Sequence, residues 1–192
     1  MMSEIFQPTL GRLGQLIFES PHEGIEPRLE FFLEIEFAEG EFDEEPGKPF
    51  FRANRILIPA RSWRDLEGTV HEFPWAPKPG SADASMLLFG EQNPADVTAL
   101  RFGAIENGKI AVSFSTEVDF EIEADRDELG QVELEFSEFP LEVGPLKIAT
   151  SLEKRHHGDP EEIAAAIAGI IDLNAYGSVA KVPGGFALEI AG

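Results

Sequence analysis

The pattern of hydrophobic and polar positions along the chain predicts a protein built mainly of β-strands. Between residues 29 and 37, hydrophobic residues alternate with glutamates, and a similar alternation returns over residues 110–122 and 132–136. A period of two places successive side chains on opposite faces of a strand, so each segment buries one face and exposes the other. These segments are therefore predicted to be half-buried strands of an antiparallel sheet.

The dipeptide Asn107-Gly108 is the clearest turn signal. It lies between two strand-like segments, 97–105 and 110–122. Both of its residues tolerate the positive φ of a type I′ hairpin turn. A two-residue loop places Glu106 opposite Lys109, which is an attractive cross-strand pair. With a further turn over 125–130, this hairpin predicts an antiparallel meander.

One C-terminal helix is predicted over residues 159–174, approximately. Asp159 is a good N-cap, Pro160 suits the first helical position, and the isoleucines that follow recur at helical spacing. We therefore expect a mainly β fold of the α+β class. It would be an antiparallel sandwich or an open barrel, with this helix packed on the sheet.

The length of 192 residues suits a single domain, 1–192, and 43% hydrophobic residues are enough for a sizeable core. A Pro/Gly-rich connector at 74–80 marks where the chain would subdivide.

The absence of cysteine excludes disulfides, zinc–thiolate sites and thiol catalysis. The start of the sequence has no signal-peptide pattern, and the longest apolar run, 163–171, is about half of the ~20 residues that span a bilayer. A cytoplasmic location is expected.

The charge of the chain is strongly negative and unevenly distributed. Its 36 acidic and 15 basic residues give a net charge of -21, which disfavours binding to nucleic acid or to anionic membranes. Residues 1–45 and 111–145 each carry -10, whereas 46–110 carry +1 and 146–192 carry -2. Two acidic blocks therefore flank a neutral, Arg-rich middle.

The outer face of the predicted meander collects part of the second acidic block. Strand alternation places six carboxylates on this face, namely Glu117, Asp119, Glu121, Glu123, Glu133 and Glu135. A turn centred near Asp127 would put Glu121 opposite Glu133 and Asp119 opposite Glu135. Like charges directly opposite cost up to ~1 kcal/mol per pair. Such pairs call for a cation, an Arg or Lys from elsewhere in the chain, or a basic partner; the alternative is a solvated face whose carboxylates fan apart.

The Arg-rich middle contains a second candidate site, made of Arg52, Arg55, Arg61, Trp63 and His71. Arginine and tryptophan together can clamp an anionic or planar ligand through bidentate hydrogen bonds and stacking. The alternative interpretation is that these arginines neutralise the acidic blocks within the same fold.

Metal and catalytic motifs are weak. Asp125 and Asp127, with Gly130, superficially resemble a calcium loop, but Leu129 and Phe136 stand where ligands are required. An irregular cation site at Glu123, Asp125 and Asp127 is left as a minor alternative. The sequence has no P-loop, nucleophile elbow or His-Glu-x-x-His motif. We therefore expect no metal, no cofactor and no catalysis.

The sequence favours a non-enzymatic acidic protein-binding module. Its acidic sheet face, which Glu30, Glu34 and Glu36 would extend, would bind a basic partner, and an inhibitor or immunity-type protein is one concrete form. The alternative is a small-ligand-binding protein or hydrolase with a pocket near the Arg/Trp segment, 50–75.

Overall fold

The computed structural model of the protein describes residues 6–42, 45–88, 90–120 and 130–191, with side chains at all of these except 40–42 and 45–47. The strands within these ranges are β1 (Pro8–Ser20), β2 (Ile25–Phe37), β3 (Gly40–Phe42), β4 (Glu45–Gly47), β5 (Phe50–Ile56), β6 (Val70–Glu72), β7 (Ala82–Leu88), β8 (Glu91–Glu106), β9 (Lys109–Asp119), β10 (Gln131–Ile148), β11 (Tyr176–Val182) and β12 (Gly185–Ile190). The α-helices are α1 (Thr150–Arg155) and α2 (Pro160–Ile167), and 3₁₀ turns lie at Trp63–Leu66 and Leu173–Ala175.

Seven of these strands form a closed barrel in the order β1-β2-β5-β7-β8-β9-β10. Neighbouring strands are antiparallel except at the closure, where β1 runs parallel to β10 and Arg12 lies opposite Glu142. The predicted mainly β, largely antiparallel fold is confirmed, but the sandwich is wrong and the barrel is closed rather than open. The closure joins segments about 130 residues apart, and a local pattern of hydrophobic residues carries no signal for such a pairing.

The β8–β9 hairpin forms as predicted around Asn107-Gly108. The two residues have φ values of 52° and 73°, and Glu106 lies opposite Lys109. Further along the hairpin the register shifts twice on β8, between Phe102 and Ile105 and again between Val97 and Ala99. Each shift is a bulge that changes which residues of β8 and β9 face each other.

Phenylalanines fill the barrel interior. Phe37, Phe51 and Phe114 are at most 1% exposed, and the rings of Phe114 and Phe136 stack with their centroids 4.4 Å apart. Because aromatic side chains occupy the inside, most charged side chains of the barrel strands lie on its outer surface.

The C-terminal helix is shorter than predicted. Asp159 caps α2 as expected, since its Oδ1 accepts hydrogen bonds from the backbone N–H groups of Glu161 and Glu162 at 2.8 and 3.3 Å. The helix ends at Ile167 rather than near 174, just before Gly169, a poor helix former. A second short helix, α1, precedes it and was not predicted from the sequence.

The connector at 74–80 folds as successive turns between β6 and β7. The N–H of Lys78 donates to the carbonyl of Trp75 at 3.1 Å, and that of Ser81 donates to the carbonyl of Lys78 at 3.1 Å. Both β6 and β7 pair with β8, where Glu72 lies opposite Ala99 and Ala82 lies opposite Val97, so the connector joins two strands that pair with adjacent parts of β8. Within the described ranges, no helix is long and apolar enough to cross a membrane.

Candidate functional site

Four carboxylates lie side by side on four neighbouring strands of the barrel. Asp83 on β7 is opposite Asp96 on β8, Asp96 is opposite Glu117 on β9, and Glu117 is opposite Glu133 on β10. Residues directly opposite in an antiparallel ladder share a face, and their Cβ atoms are about 4.5–5.5 Å apart. These four residues, here called the acidic row, therefore cross the outer face over three strand spacings, about 14 Å.

The acidic row contains two of the six carboxylates predicted for the partner-binding face, Glu117 and Glu133. The predicted pairing of Asp119 with Glu135 is wrong, because Asp119 lies opposite Gln131, four residues earlier on β10. The Gln131 amide donates to Asp119 Oδ2 at 3.3 Å. An even shift in register leaves every side chain on its predicted face, so these carboxylates remain on the outer face.

None of the other predicted carboxylates is a member of the row as the structure describes it. Glu135 lies opposite Ser115 and is exposed. Glu121 and Glu123 lie outside the described residues, as do Asp125 and Asp127 of the candidate cation site.

Sequence reasoning missed Asp83 and Asp96. An uninterrupted ladder running from the Glu106–Lys109 pair would put Thr98 opposite Glu117. The two bulges on β8 bring Asp96 there instead. No motif in the sequence indicates a bulge at these positions, so the members of the row could not be identified from the hairpin turn alone.

No side chain of the described part of the chain neutralises the acidic row. None of the ion pairs among the described residues includes Asp83, Asp96, Glu117 or Glu133. Like charges directly opposite destabilise a sheet by roughly 0.2–1 kcal/mol per pair. The row therefore lowers folding stability, and the described residues do not offset this loss by forming ion pairs with its carboxylates.

Another set of charges on the outer face of the barrel is arranged differently. In strand order β9, β10, β1, β2 and β5, the outer face carries a row of alternating sign, made of Lys109, Glu142, Arg12, Glu34 and Arg52. Lys109 Nζ lies 3.4 Å from Glu142 Oε1, and the arginine nitrogens of Arg12 and Arg52 each lie 3.9 Å from Glu34. This set, here called the alternating belt, shows that cross-strand cations neutralise carboxylates elsewhere on the same barrel.

Two further glutamates of β2, Glu30 and Glu36, are also paired within the chain. Glu30 is almost fully buried and accepts hydrogen bonds from Arg28 Nε and Nη2 at 2.9 and 2.7 Å. Glu36 Oε2 lies 2.6 Å from Lys48 Nζ. In the barrel order, β5 separates β2 from β7, and β1 separates β2 from β10, so Glu30, Glu34 and Glu36 are not members of the acidic row.

The neighbours of Glu117 and Asp96 change their proton affinity. Burial raises the pKa of Glu117, and the charges of Glu133, Asp96 and Asp119 raise it further. Burial also raises the pKa of Asp96, as does the charge of Asp83, while a hydrogen bond from the backbone of Ala76 acts in the opposite direction. A cation bound on the row would oppose both increases, because it favours the ionised form of each carboxylate.

An open cavity of about 590 Å³ lies on the acidic row. The connector forms part of its wall, where the N–H of Ala76 donates to Asp96 Oδ2 at 3.3 Å and the indole of Trp75 is 42% exposed. Carboxylates beside an exposed indole match a guanidinium or ammonium group, which forms charge-assisted hydrogen bonds and stacks on aromatic faces. In the described part of the chain, no three His, Asp or Glu side chains are close enough to hold a metal ion.

The arginines of the second candidate site have separate partners. Arg52 belongs to the alternating belt, and its Nε donates to Asn54 Oδ1 at 3.0 Å. The guanidinium of Arg55 lies 5.3 Å from the centre of the Phe18 ring. Arg61 donates to two backbone carbonyls beyond the end of α2, those of Ala168 and Ile171, at 3.2 and 3.0 Å.

The two aromatic residues of that site are engaged elsewhere. Trp63 is buried in its 3₁₀ turn, with 3% of its surface exposed. His71 Nε2 lies 2.9 Å from Thr69 Oγ1, and burial lowers the pKa of the imidazole. Trp63 and His71 therefore share none of these contacts with the three arginines.

The acidic row is thus an outer surface that combines a cavity, an exposed indole and carboxylates that form no ion pair with any described residue. Compared with known proteins, the chain has no significant match to any family model, curated protein or solved structure.

Proposed function

We propose that this protein is a non-enzymatic binding module that engages a basic partner protein through the acidic row. The observation that carries the proposal is a contrast between two sets of charges. The carboxylates of the acidic row form no ion pair with any described residue, whereas those of the alternating belt lie beside cations. Lysine or arginine side chains from a partner would supply the cations that the described residues of the chain do not. Binding would then remove the cost of roughly 0.2–1 kcal/mol at each like-charged pair.

The geometry of the row indicates the form of the partner surface. A row of about 14 Å accommodates several basic side chains from an extended segment, rather than a single one. Trp75 offers a stacking surface for one of them, and arginine stacks better than lysine. The net charge of -21 attracts a basic protein at long range and speeds its encounter. An inhibitor or immunity-type antidote to a basic toxin is one form that meets these requirements.

The proposal is tested by capture of proteins from native cell extract on the immobilised chain, at low and at high salt. The variant Glu117→Gln/Glu133→Gln removes two charges from the acidic row. The matched control Glu34→Gln/Glu142→Gln removes two charges from the alternating belt. Wild type and control should retain a basic protein at low salt and release it at high salt, whereas the row variant should lose it.

Two outcomes would overturn the proposal. If the row variant and the belt control retain the same proteins equally, overall charge rather than the row is responsible for the interaction. If captured basic proteins stay bound at high salt, the interaction does not depend on ionic contacts.

A further inference from the structure

The first half of β10 has one edge with which no described strand pairs. Its other edge pairs with β9, and from Gln131 to Phe136 this pairing has no register shift. On the unpaired side, the ladder with β1 begins only at Glu142. Within the described ranges, no backbone group outside these ladders binds residues 131–141 either. A regular strand edge therefore lies beside Glu133, the member of the acidic row on β10.

The β8–β9 hairpin shows which backbone groups of β10 point toward this edge. Its two-residue loop is closed by Glu106 and Lys109, a hydrogen-bonded pair, so the backbone of Lys109 points to β8. Backbone direction alternates along a strand, and both bulges of this hairpin lie on β8, so the even-numbered residues of β9 point to β10. Leu134 lies opposite one of these residues and bonds to β9. The N–H and C=O groups of Glu133 and Glu135 therefore point away from β9, toward the unpaired edge.

A groove of about 370 Å³ lies along this edge, between β10 and the start of β1. Its wall includes Phe6 and Pro8 on one side and Phe136 and Phe139 on the other, together with Glu135. Glu135 and Phe136 are successive residues of a strand, so their side chains lie on opposite faces. The groove therefore offers apolar contacts on the inner face and a carboxylate on the outer face.

The charges of this edge are complementary to a basic strand. Neither Glu133 nor Glu135 forms an ion pair with any described residue. Directly opposite residues share a face, so a strand added here would place alternate side chains beside these two carboxylates. The side chains between them would point to the face of Leu134 and Phe136, which are buried. A lysine or arginine suits the first positions, and an apolar residue suits the second.

We propose that the basic partner binds by adding a β-strand to this edge of β10, through an extended segment in which basic and apolar residues alternate. The inference rests on the proposed function, because the basic residues of this segment would be the cations beside the acidic row. Main-chain hydrogen bonds to Glu133 and Glu135 supply affinity, and the alternate side chains supply specificity. The same edge from a second copy of the chain would instead set carboxylates against carboxylates, so the charges select a basic partner.

Three peptides test the strand addition by calorimetry at low salt. The first is acetyl-Lys-Val-Lys-Val-Lys-Val-amide, and the second is acetyl-Lys-Lys-Lys-Val-Val-Val-amide, which has the same composition and charge. The wild-type chain should bind the alternating peptide about tenfold or more tightly than the block peptide, because only the alternating order matches both faces of the edge. The third is the alternating peptide made in two forms, with N-methyl groups either on all lysines or on all valines. Only one set of N–H groups faces β10 in an added strand, so one form should bind and the other should not.

Glu135→Pro and Glu135→Gln are a matched pair of variants. Both remove one negative charge, but only proline removes the N–H group that points toward the unpaired edge. Proline is tolerated at such positions because the ladder on the other side of the strand does not use that N–H. We expect Glu135→Pro to bind the alternating peptide about threefold or more weakly than Glu135→Gln, as expected for a lost main-chain hydrogen bond. Circular dichroism of both variants verifies that the fold is retained.

The results separate this inference from the proposed function. If the block peptide binds as tightly as the alternating one, or if both N-methylated forms bind equally, the strand addition is wrong while binding of basic groups by the acidic row is retained. Equal binding by folded Glu135→Pro and Glu135→Gln would also overturn the strand addition alone. If the wild-type chain binds none of these basic peptides, both the strand addition and the proposed function fail.

Discussion

The acidic row makes a prediction about stability that does not depend on knowing the partner. Glu117 lies between two directly opposite carboxylates, Asp96 and Glu133. Each like-charged pair costs roughly 0.2–1 kcal/mol, so Glu117→Gln should raise the free energy of unfolding by roughly 0.4–2 kcal/mol. In a chain of this size, 1 kcal/mol corresponds to about 2–4 °C in Tm. Glu117→Lys should stabilise further, because it turns two repulsive pairs into attractive ones.

Equilibrium unfolding in urea at pH 7 and low salt measures this effect, with Glu142→Gln as the control. Glu142 lies opposite Lys109 and Arg12, so its neutralisation removes attraction instead of repulsion. We expect the control to be neutral or destabilised by up to about 1 kcal/mol, the range of surface ion pairs. Added salt should reduce the difference between wild type and Glu117→Gln, because it screens repulsion in the wild type.

The reasoning is refuted if Glu117→Gln and Glu142→Gln change stability in the same direction and by the same amount. It is also refuted if Glu117→Lys is less stable than wild type. Either result would mean that the carboxylates of the row spread apart in solvent without repelling one another. If Glu117→Gln is more stable than wild type but no longer binds a basic partner, the row lowers stability and is needed for binding. This combination is common at functional sites.

Three further predictions concern pH, a buried hydrogen bond and the indole beside the row. Because the pKa of Glu117 is raised above its usual 4.5, the folded state takes up a proton at a higher pH than the unfolded state does. The difference in unfolding free energy between wild type and Glu117→Gln, measured in urea, should therefore narrow from pH 7 to 4.5. Tyr176→Phe should cost about 1–3 kcal/mol in the same assay, because the Tyr176 hydroxyl donates to buried Gln15 Oε1 at 2.6 Å; a loss below about 0.5 kcal/mol would contradict this. Trp75→Ala should weaken binding of an oligo-arginine peptide roughly 2- to 30-fold by calorimetry, the value of a cation–π contact; unchanged affinity would exclude Trp75 from the site.

Local features of the fold were predictable because the residues that cause them are close together in the chain. The Asn107-Gly108 turn formed as expected, since both residues accept positive φ. Asp159 caps its helix through hydrogen bonds to residues two and three positions later. The alternation along β9 assigned Glu117 and Asp119 to the outer face for the same reason, because side-chain direction in a strand has a period of two.

Features that depend on distant pairings were not predictable in this way. The sequence indicated strands but not the contact between β1 and β10 that closes the barrel. A strand's own pattern does not specify which distant strand binds its edge, so a sandwich and an open barrel were equally compatible with it.

The sequence by itself determined that this protein is a mainly β chain with two acidic blocks and with Glu117 on an outer strand face. Only the tertiary structure decided that Glu117 is one of four carboxylates in a row, beside Trp75. Two bulges set which residue of β8 lies opposite Glu117, and the pairing of β7 with β8 adds Asp83. The physical reason is that side-chain direction follows from local backbone geometry, whereas cross-strand register follows from hydrogen bonds between segments far apart in the chain.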